Sequence, residues 1–425
     1  MTVTSSSTST EQDWHQTFGD VMMGSLAVPA VMLERGRGAY VWDVDGNEYL
    51  DFLAGIAVNA LGHAHPVLMD ALSAQAAKLV HVSNYFATPP QVALAQRLLR
   101  ITGAGTSGRV YFANSGTEAN EAAFKLARLN SRDARTRILA LNNSFHGRTM
   151  GSLALTGKPH MREPFEPMIP GVEHIDSTIG ALEAAIDDRV AALFVEPIKG
   201  EAGVIDLPDG YLAAARELTE RHGALLILDE IQTGVGRTGA WFGYQHAGIV
   251  PDAITIAKGM AGGVPIGALV TFGAASELFS RGQHGSTFGG NPLATAVAGA
   301  VLEEIERAGL VDNARARGVQ LREVLHAIDS PLLAEVRGEG LLVGIGLSEP
   351  VAERLTAAAL RNGLIVNAPN EFSIRLAPPL IIGDGEVAEF DRRFRAALAD
   401  LDARPLDPQP LDPEPLDPQQ QESHS

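Results

Sequence analysis

Five short apolar runs punctuate the middle of the chain, with helical patterning between them. They are RVYFAN from Arg109, RILALN from Arg137, AALFVEP from Ala191, ALLILDE from Ala224 and PDAITIAKG from Pro251. Strands that alternate with helices build a mainly parallel sheet with helices on both faces. Ligands of such sheets bind beyond the carboxyl ends of the strands. Several of the polar residues here stand at such ends, among them Asp229, Glu196 and Lys258.

The flanks complete the plan. Near the start, AYVWDVDGNEYLDFL reads as two alternating runs around Asp45-Gly46, a hairpin. After Asn291-Pro292 comes a long helical stretch, LATAVAGAVLEEIERAGL, and then strand-like LLVGIGL and SIRLAPPLI. The last segment is expected to pack with the hairpin as a second, smaller domain. This divides the chain into residues 76–317 for the large domain, with 13–75 and 318–402 for the smaller one. Residues 1–12 are Ser/Thr-rich, and 403–425 repeat PLDPQ, PLDPE, PLDPQ; both are expected to be disordered tails.

Composition excludes several function classes. A net charge of −18 over 425 residues argues against nucleic acid or an anionic membrane as partner. The absence of cysteine removes disulfides, thiol nucleophiles and thiolate metal sites. The N-terminus has no signal-like apolar region, and no apolar run reaches the roughly 20 residues of a membrane span, so a cytoplasmic location is expected.

Four features could carry chemistry, and each has a plainer reading. ANSGTEANE, from Ala113 to Glu121, places Ser115, Gly116 and Thr117 where a strand turns into a helix opening near Glu118. This is either an anion site at a helix N-terminus or an ordinary cap. Asp229 ends a buried strand, where a carboxylate either meets a cation or caps a helix; the same holds for Glu196. SFHGRT, from Ser144 to Thr149, offers an aromatic ring, an imidazole and an arginine in a glycine turn, as a generic loop also can. Lys258 lies between an apolar run and a glycine-rich one, and is either a surface lysine or an amine whose pKa a dry pocket lowers.

Other motifs carry less. DVDG lacks the twelve-residue spacing of a calcium loop. GVGRTG, from Gly234, matches a dinucleotide pattern, but no clear helix follows it and no acidic residue stands about 20 positions on. GSLALTGKP misses the P-loop pattern by one residue and by Pro159. His63 and His65 have no third metal-ligand candidate near them and suit a turn before Pro66.

Taken together, a phosphate turn, a flat aromatic, a strand-end carboxylate and a sheltered lysine are what pyridoxal phosphate needs. The chain also resembles the class III (ornithine-type) pyridoxal-phosphate aminotransferases over about residues 20–400. The motifs are LDFLAGIAVNALGHAHP, NSGTEANEAAFKLAR, FHGRTMGSLALTG, EPIKGEAGV, LDEIQTGVGRTG, AKGMAGGVPIGA, GSTFGGNP and IRLAPPLI. The resemblance implies an α/β fold of the PLP-transferase type (aspartate aminotransferase superfamily, fold type I), with a large mainly parallel domain and a smaller α+β domain.

It further implies pyridoxal 5'-phosphate as cofactor, in Schiff-base linkage to Lys258. Asp229 would meet the pyridine nitrogen and Gln232 the ring hydroxyl side, within the stretch Asp229, Glu230, Ile231, Gln232. Ser115, Gly116 and Thr117 would hold the phosphate, helped by Thr287 from a partner subunit, and Phe145 would stack on the ring. Arg148 would take the substrate α-carboxylate, Ser286 would lie near the substrate, and Glu201 would mask Arg375 for one substrate and release it for the other. No metal is implied. The implied reaction transfers the δ-amine of N-acetylornithine to 2-oxoglutarate, giving glutamate, in arginine biosynthesis. A related ω-amine (succinylornithine, ornithine, 4-aminobutyrate or a lysine derivative) is the alternative. A homodimer with active sites at the subunit interface is implied as well. One departure is Leu26, at a place where many members of the family carry a tyrosine that contacts substrate.

Overall fold

The structure, a computed structural model, describes residues 11–130 and 135–403. Apart from their inner ends, the two expected tails lie outside the described residues. Seven strands form the central sheet: β1 (Arg109–Ala113), β2 (Arg137–Leu141), β3 (Val172–Ile175), β4 (Val190–Val195), β5 (Leu225–Asp229), β6 (Ala253–Ile256) and β7 (Gly267–Thr271). Their order across the sheet is β1-β7-β6-β5-β4-β2-β3. From β3 to β6 neighbouring strands are parallel, whereas β7 is antiparallel to both of its neighbours. The five apolar runs account for five of these strands. The other two, the short, half-polar VEHI of β3 and GALVT of β7, lie outside those five runs.

The runs are continuous because both faces of the sheet are covered. Leu139, Leu141, Leu193, Val195, Leu226, Leu228, Ile254 and Ile256 belong to one core cluster. The residues between them, Ile138, Ala140, Ala192, Phe194, Leu225, Ile227 and Ala253, belong to the other. Each large side chain taken fully out of water contributes roughly 1.5–3 kcal/mol. On the second face the helix Gly116–Leu129 packs against β6 and β7. It buries Ala119, Ala122, Ala123 and Ala127, small residues that let it lie close to the strands. The helix Pro292–Arg307 packs against both Pro66–Ala76 and Pro89–Ile101.

The N-terminal hairpin forms as expected, with Tyr40 opposite Leu50 and Trp42 opposite Glu48. Its turn is organised by Asp43, whose carboxylate accepts from the backbone of Asp45 and Asn47, from the Asn47 amide and from the Tyr49 hydroxyl. The second hairpin strand pairs in parallel with Leu364–Ile365, near the other end of the chain. A further antiparallel sheet joins Leu333–Glu339, Leu342–Leu347, Ser373–Leu376 and Asn367–Asn370. GVGRTG forms a turn in which Val235, Gly236 and Gly239 have positive φ. The buried Arg237 guanidinium in that turn donates to the carbonyls of Leu341 and Pro378, tying the turn to the C-terminal segment. No helix among the described residues is long and apolar enough to cross a membrane.

β7 also sets the spacing of the strand ends. A Cβ on Gly267 would come within 2.2 Å of the Ser115 carbonyl oxygen, just beyond the end of β1. The absence of a side chain there lets the turn Asn114–Thr117 lie on the sheet edge. Gly267→Ala is expected to cost about 1–3 kcal/mol by overpacking, read as a lower thermal unfolding midpoint. An unchanged midpoint would show that the turn gives way freely.

Candidate active site

The ends of β1, β2, β4, β5 and β6 converge on one cavity of about 370 Å³. Among its lining residues are Ser115, Gly116, Thr117, Phe145, Arg148, Asp229, Ile231, Gln232 and Lys258. Residues from four separate motifs thus meet in one place, as expected for ligands of a parallel sheet.

The helix that follows β1 starts at Gly116, two residues before the position expected from sequence. The reason is its cap: Ser115 is extended and its hydroxyl accepts from the Glu118 N–H at 3.3 Å, while the Glu118 carboxylate accepts from the Asn114 N–H. The first N–H groups of a helix have no intrahelical acceptor and favour an anion. A Cβ on Gly116 would crowd the Ile231 side chain, meeting its Cδ1 at 2.8 Å. The Thr117 hydroxyl pairs with those of Thr149 and Ser152.

Asp229 is 4% exposed, and both of its oxygens have hydrogen-bond partners. Oδ2 accepts from Asn120 Nδ2 at 2.7 Å and lies 2.8 Å from His146 Nδ1; Oδ1 accepts from the Ile231 N–H at 3.1 Å. Asn120 is itself held, accepting from the Thr255 hydroxyl and donating to the His146 carbonyl. Burial works against a charge on His146, but Asp229 outweighs it and holds the imidazole pKa above its ordinary value. Its Nε2 is buried with no protein partner among the described residues. Glu196, under the same cavity, accepts from the Phe145 N–H, and burial pushes its carboxyl up to about 7 against the pull of His146.

Lys258 follows β6 by two residues and adopts φ +42, a left-handed conformation that costs a non-glycine residue roughly 1–2 kcal/mol. Burial lowers its amine pKa, opposed chiefly by Glu201. The left-handed residues Ala54 to Ala57 lead into Val58, which lines the same cavity. This sheltered lysine is not the surface residue of the plainer reading.

Gln232 connects the cavity to a second charged group. Its Oε1 accepts from Arg375 Nη1 at 3.1 Å, and the same nitrogen is 2.5 Å from Glu201 Oε1. Asn367 Oδ1 accepts from the other two nitrogens of the guanidinium. Arg375 is 1% exposed. Burial alone would raise the Glu201 pKa, but Arg375 holds it below the ordinary range. Arg148 is exposed, with its guanidinium 5.7 Å from the Phe145 ring centre.

Three residues named from the sequence lie elsewhere. Glu230 points into the core, where its carboxylate accepts from the Thr233 hydroxyl and from the N–H groups of Gly243 and Tyr244. Ser286 Oγ accepts from the amide of Asn114, a cavity residue. Thr287 is exposed in a separate depression beside His81 and Phe86. His63 pairs with Asp51, and His65 precedes the helix Pro66–Ala76. Sequence reasoning gave Asn120 no role and His146 none beyond its presence in the turn. Asn120 stands among the buried alanines of its helix, and an amide on that face was the available signal.

The chain belongs to the class-III aminotransferases, whose family model matches residues 23–398. It is 51% identical to the acetylornithine aminotransferase of Mycobacterium leprae over 391 residues, 92% of this chain and 95% of that protein. Among solved structures it resembles an ornithine aminotransferase from Toxoplasma gondii, with TM-score 0.87 and 36% identity over 93% of this chain and 96% of that one. It also resembles an N-acetylornithine aminotransferase from Stenotrophomonas maltophilia, with TM-score 0.79 and 36% identity over 91% and 99% of the two chains. The protein is therefore a pyridoxal-phosphate-dependent aminotransferase.

The residues present fit that cofactor. The cavity combines a half-buried lysine, an aromatic ring, a helix N-terminus and a carboxylate with two side-chain partners. A lowered amine pKa means more neutral amine at a given pH. In protein freed of cofactor, a limiting amount of a small amine-directed reagent at neutral pH is expected to label Lys258 ahead of the exposed Lys78, as read by peptide mass spectrometry.

Proposed function

We propose that this enzyme transfers the δ-amine of N-acetyl-L-ornithine to 2-oxoglutarate, forming N-acetyl-L-glutamate 5-semialdehyde and L-glutamate, in cytoplasmic arginine biosynthesis. The observation that carries the two-substrate reading is the Glu201–Arg375 pair beside the lysine cavity. The names and similarity of the relatives support the acetylated amine.

When bound, pyridoxal phosphate supplies a carbonyl for the substrate amine and a ring that accepts the charge left on proton removal. Ser115, Gly116 and Thr117 hold the phosphate at the helix N-terminus. Phe145 would stack on the ring, and Gln232, just after Glu230–Ile231, would serve its hydroxyl side. Asp229 would meet the ring nitrogen and favour its protonated form, with Asn120 and His146 keeping the carboxylate in place. With the cofactor bound, Lys258 Nζ would take up the proton lost by the amine-bearing carbon of the substrate and deliver it to the cofactor's former carbonyl carbon, on the far side of the transferred nitrogen. Arg148 takes the α-carboxylate of acetylornithine. Glu201 covers Arg375 while that substrate is bound and swings aside when the second carboxylate of 2-oxoglutarate takes its place. The exchange avoids leaving a buried cation unpaired.

The working form is a homodimer. Tyr85, Phe86 and Phe288 are 92%, 68% and 60% exposed beside Thr287, an apolar patch that suits a second copy of the chain. In that dimer Thr287 reaches the partner's phosphate and Ser286 approaches substrate.

Steady-state comparison of N-acetylornithine with ornithine, succinylornithine and 4-aminobutyrate tests the substrate. The acetylated amine is expected to have the highest kcat/KM, and a clear preference for another amine overturns the choice. Lys258→Ala is expected to retain cofactor by non-covalent contacts yet lose at least about a thousandfold in turnover, because both nucleophile and proton carrier go. Arg375→Lys keeps the charge but loses the fork. It should raise KM for 2-oxoglutarate about tenfold or more and change KM for the amine substrate far less.

A further inference from the structure

The turn that carries Glu201 is held at four successive carbonyls. Lys158 Nζ donates to the Glu201 carbonyl at 2.6 Å, and Asn370 Nδ2 to that of Ala202 at 2.9 Å. Arg337 donates to the carbonyls of Gly203 and Val204. Gly203 and Val204 have φ +110 and +58, so the turn does not take this shape by local preference. Its side-chain donors hold it there.

These donors come from two directions. Asn370 and Arg337 belong to the C-terminal antiparallel sheet, which also carries Arg375. Lys158 comes from the opposite side, where it precedes the short helix Pro159–Arg162. It is half-buried and makes no ion pair among the described residues, although Glu201, Glu196, Arg375 and Arg148 all act on its charge. A sheltered ammonium with a backbone carbonyl as its partner is costly. Its one hydrogen bond falls on the residue that pairs with Arg375.

We propose that Lys158 is a positioning residue for the Glu201–Arg375 pair: it fixes the Glu201 backbone, so that exchange of substrates needs only rotation of the Glu201 side chain. This rests on the reading of that pair given above. Without Lys158 the turn is free to shift, Glu201 pairs less well with Arg375, and the arginine is open to dicarboxylates more of the time.

The experiment uses the holoenzyme and glutarate, a dicarboxylate with no keto group, as a binding probe alongside amine kinetics. Lys158→Met removes the donor but keeps an apolar stem. It is expected to tighten glutarate binding about fivefold, the scale of one hydrogen bond, and to raise KM for the amine substrate by a similar factor with kcat little changed. In a Glu201→Gln background the same substitution should change neither quantity. Glutarate binding that weakens in both backgrounds would make Lys158 a carboxylate ligand and overturn the proposal, as would no change in either. Lys158→Leu, which also lacks the donor, serves if the Met variant does not fold. It is expected to shift glutarate binding and amine KM in the same directions, and no shift, or an equal shift in both backgrounds, overturns the proposal. Wild-type enzyme that rejects N-acetylornithine would sink the substrate reading alone, because glutarate reports on Arg375 whichever amine is used. Glutarate binding insensitive to Arg375→Lys would sink the reading of the pair itself.

Discussion

A carboxylate buried at the end of a central strand has to be surrounded by donors, and Asp229 imposes this on four parts of the chain. Taking an ionised carboxyl out of water without partners costs many kcal/mol, so the surroundings must supply hydrogen bonds. Asn120 supplies one from the helix after β1, His146 another from the turn after β2, and Ile231 a third from its own turn. Thr255 on β6 then holds Asn120, and its Cα is paired with that of Asp229 in the sheet register. A slip of one residue in β5 would turn Asp229 to the other face and leave this set without its acceptor. Sheet register and site geometry are therefore one constraint.

The second constraint is charge balance in a small volume. The chain carries a net −18, yet Lys258 and Arg148 line one cavity with Asp229 and Glu196, and Gln232 links that cavity to Arg375, Glu201 and Lys158. Burial lowers the amine pKa of both lysines and raises that of Glu196, while Arg375 keeps Glu201 ionised. The large sheet supplies Asp229 and Lys258, and the C-terminal sheet supplies Arg375. The buried Arg237, hydrogen-bonded to carbonyls of the C-terminal segment, helps hold these parts together.

Much of this was legible in the linear chain, for identifiable reasons. Continuous apolar runs mark strands buried on both faces, so β1, β2, β4, β5 and β6 could be read directly. β3 and β7 could not, because VEHI is short and half-polar and GALVT begins with a glycine. The helix start was read late because Ser115, an ordinary cap residue, sits in a run of equally suitable Ser, Gly and Thr. The weak motifs also found physical reasons. Asp43 of DVDG organises a hairpin turn, and the glycines of GVGRTG let a turn place Arg237 among backbone carbonyls.

The sequence by itself determined the parallel α/β plan, the order of the strand-end groups and the chemical types available at each, because hydrophobic periodicity and turn residues are local properties. Tertiary structure alone decided which of those groups meet. Glu230 and Asp229 are neighbours in the chain, yet alternation along the strand end sends one carboxylate into the core and the other to the cavity. Asn120 and Asp229 are 109 residues apart and Arg375 and Glu201 are 174 apart, and both pairs are in hydrogen-bond contact. Only the packing of helix on sheet and of one sheet beside another sets such distances, and with them the pKa values on which the chemistry of Lys258 depends.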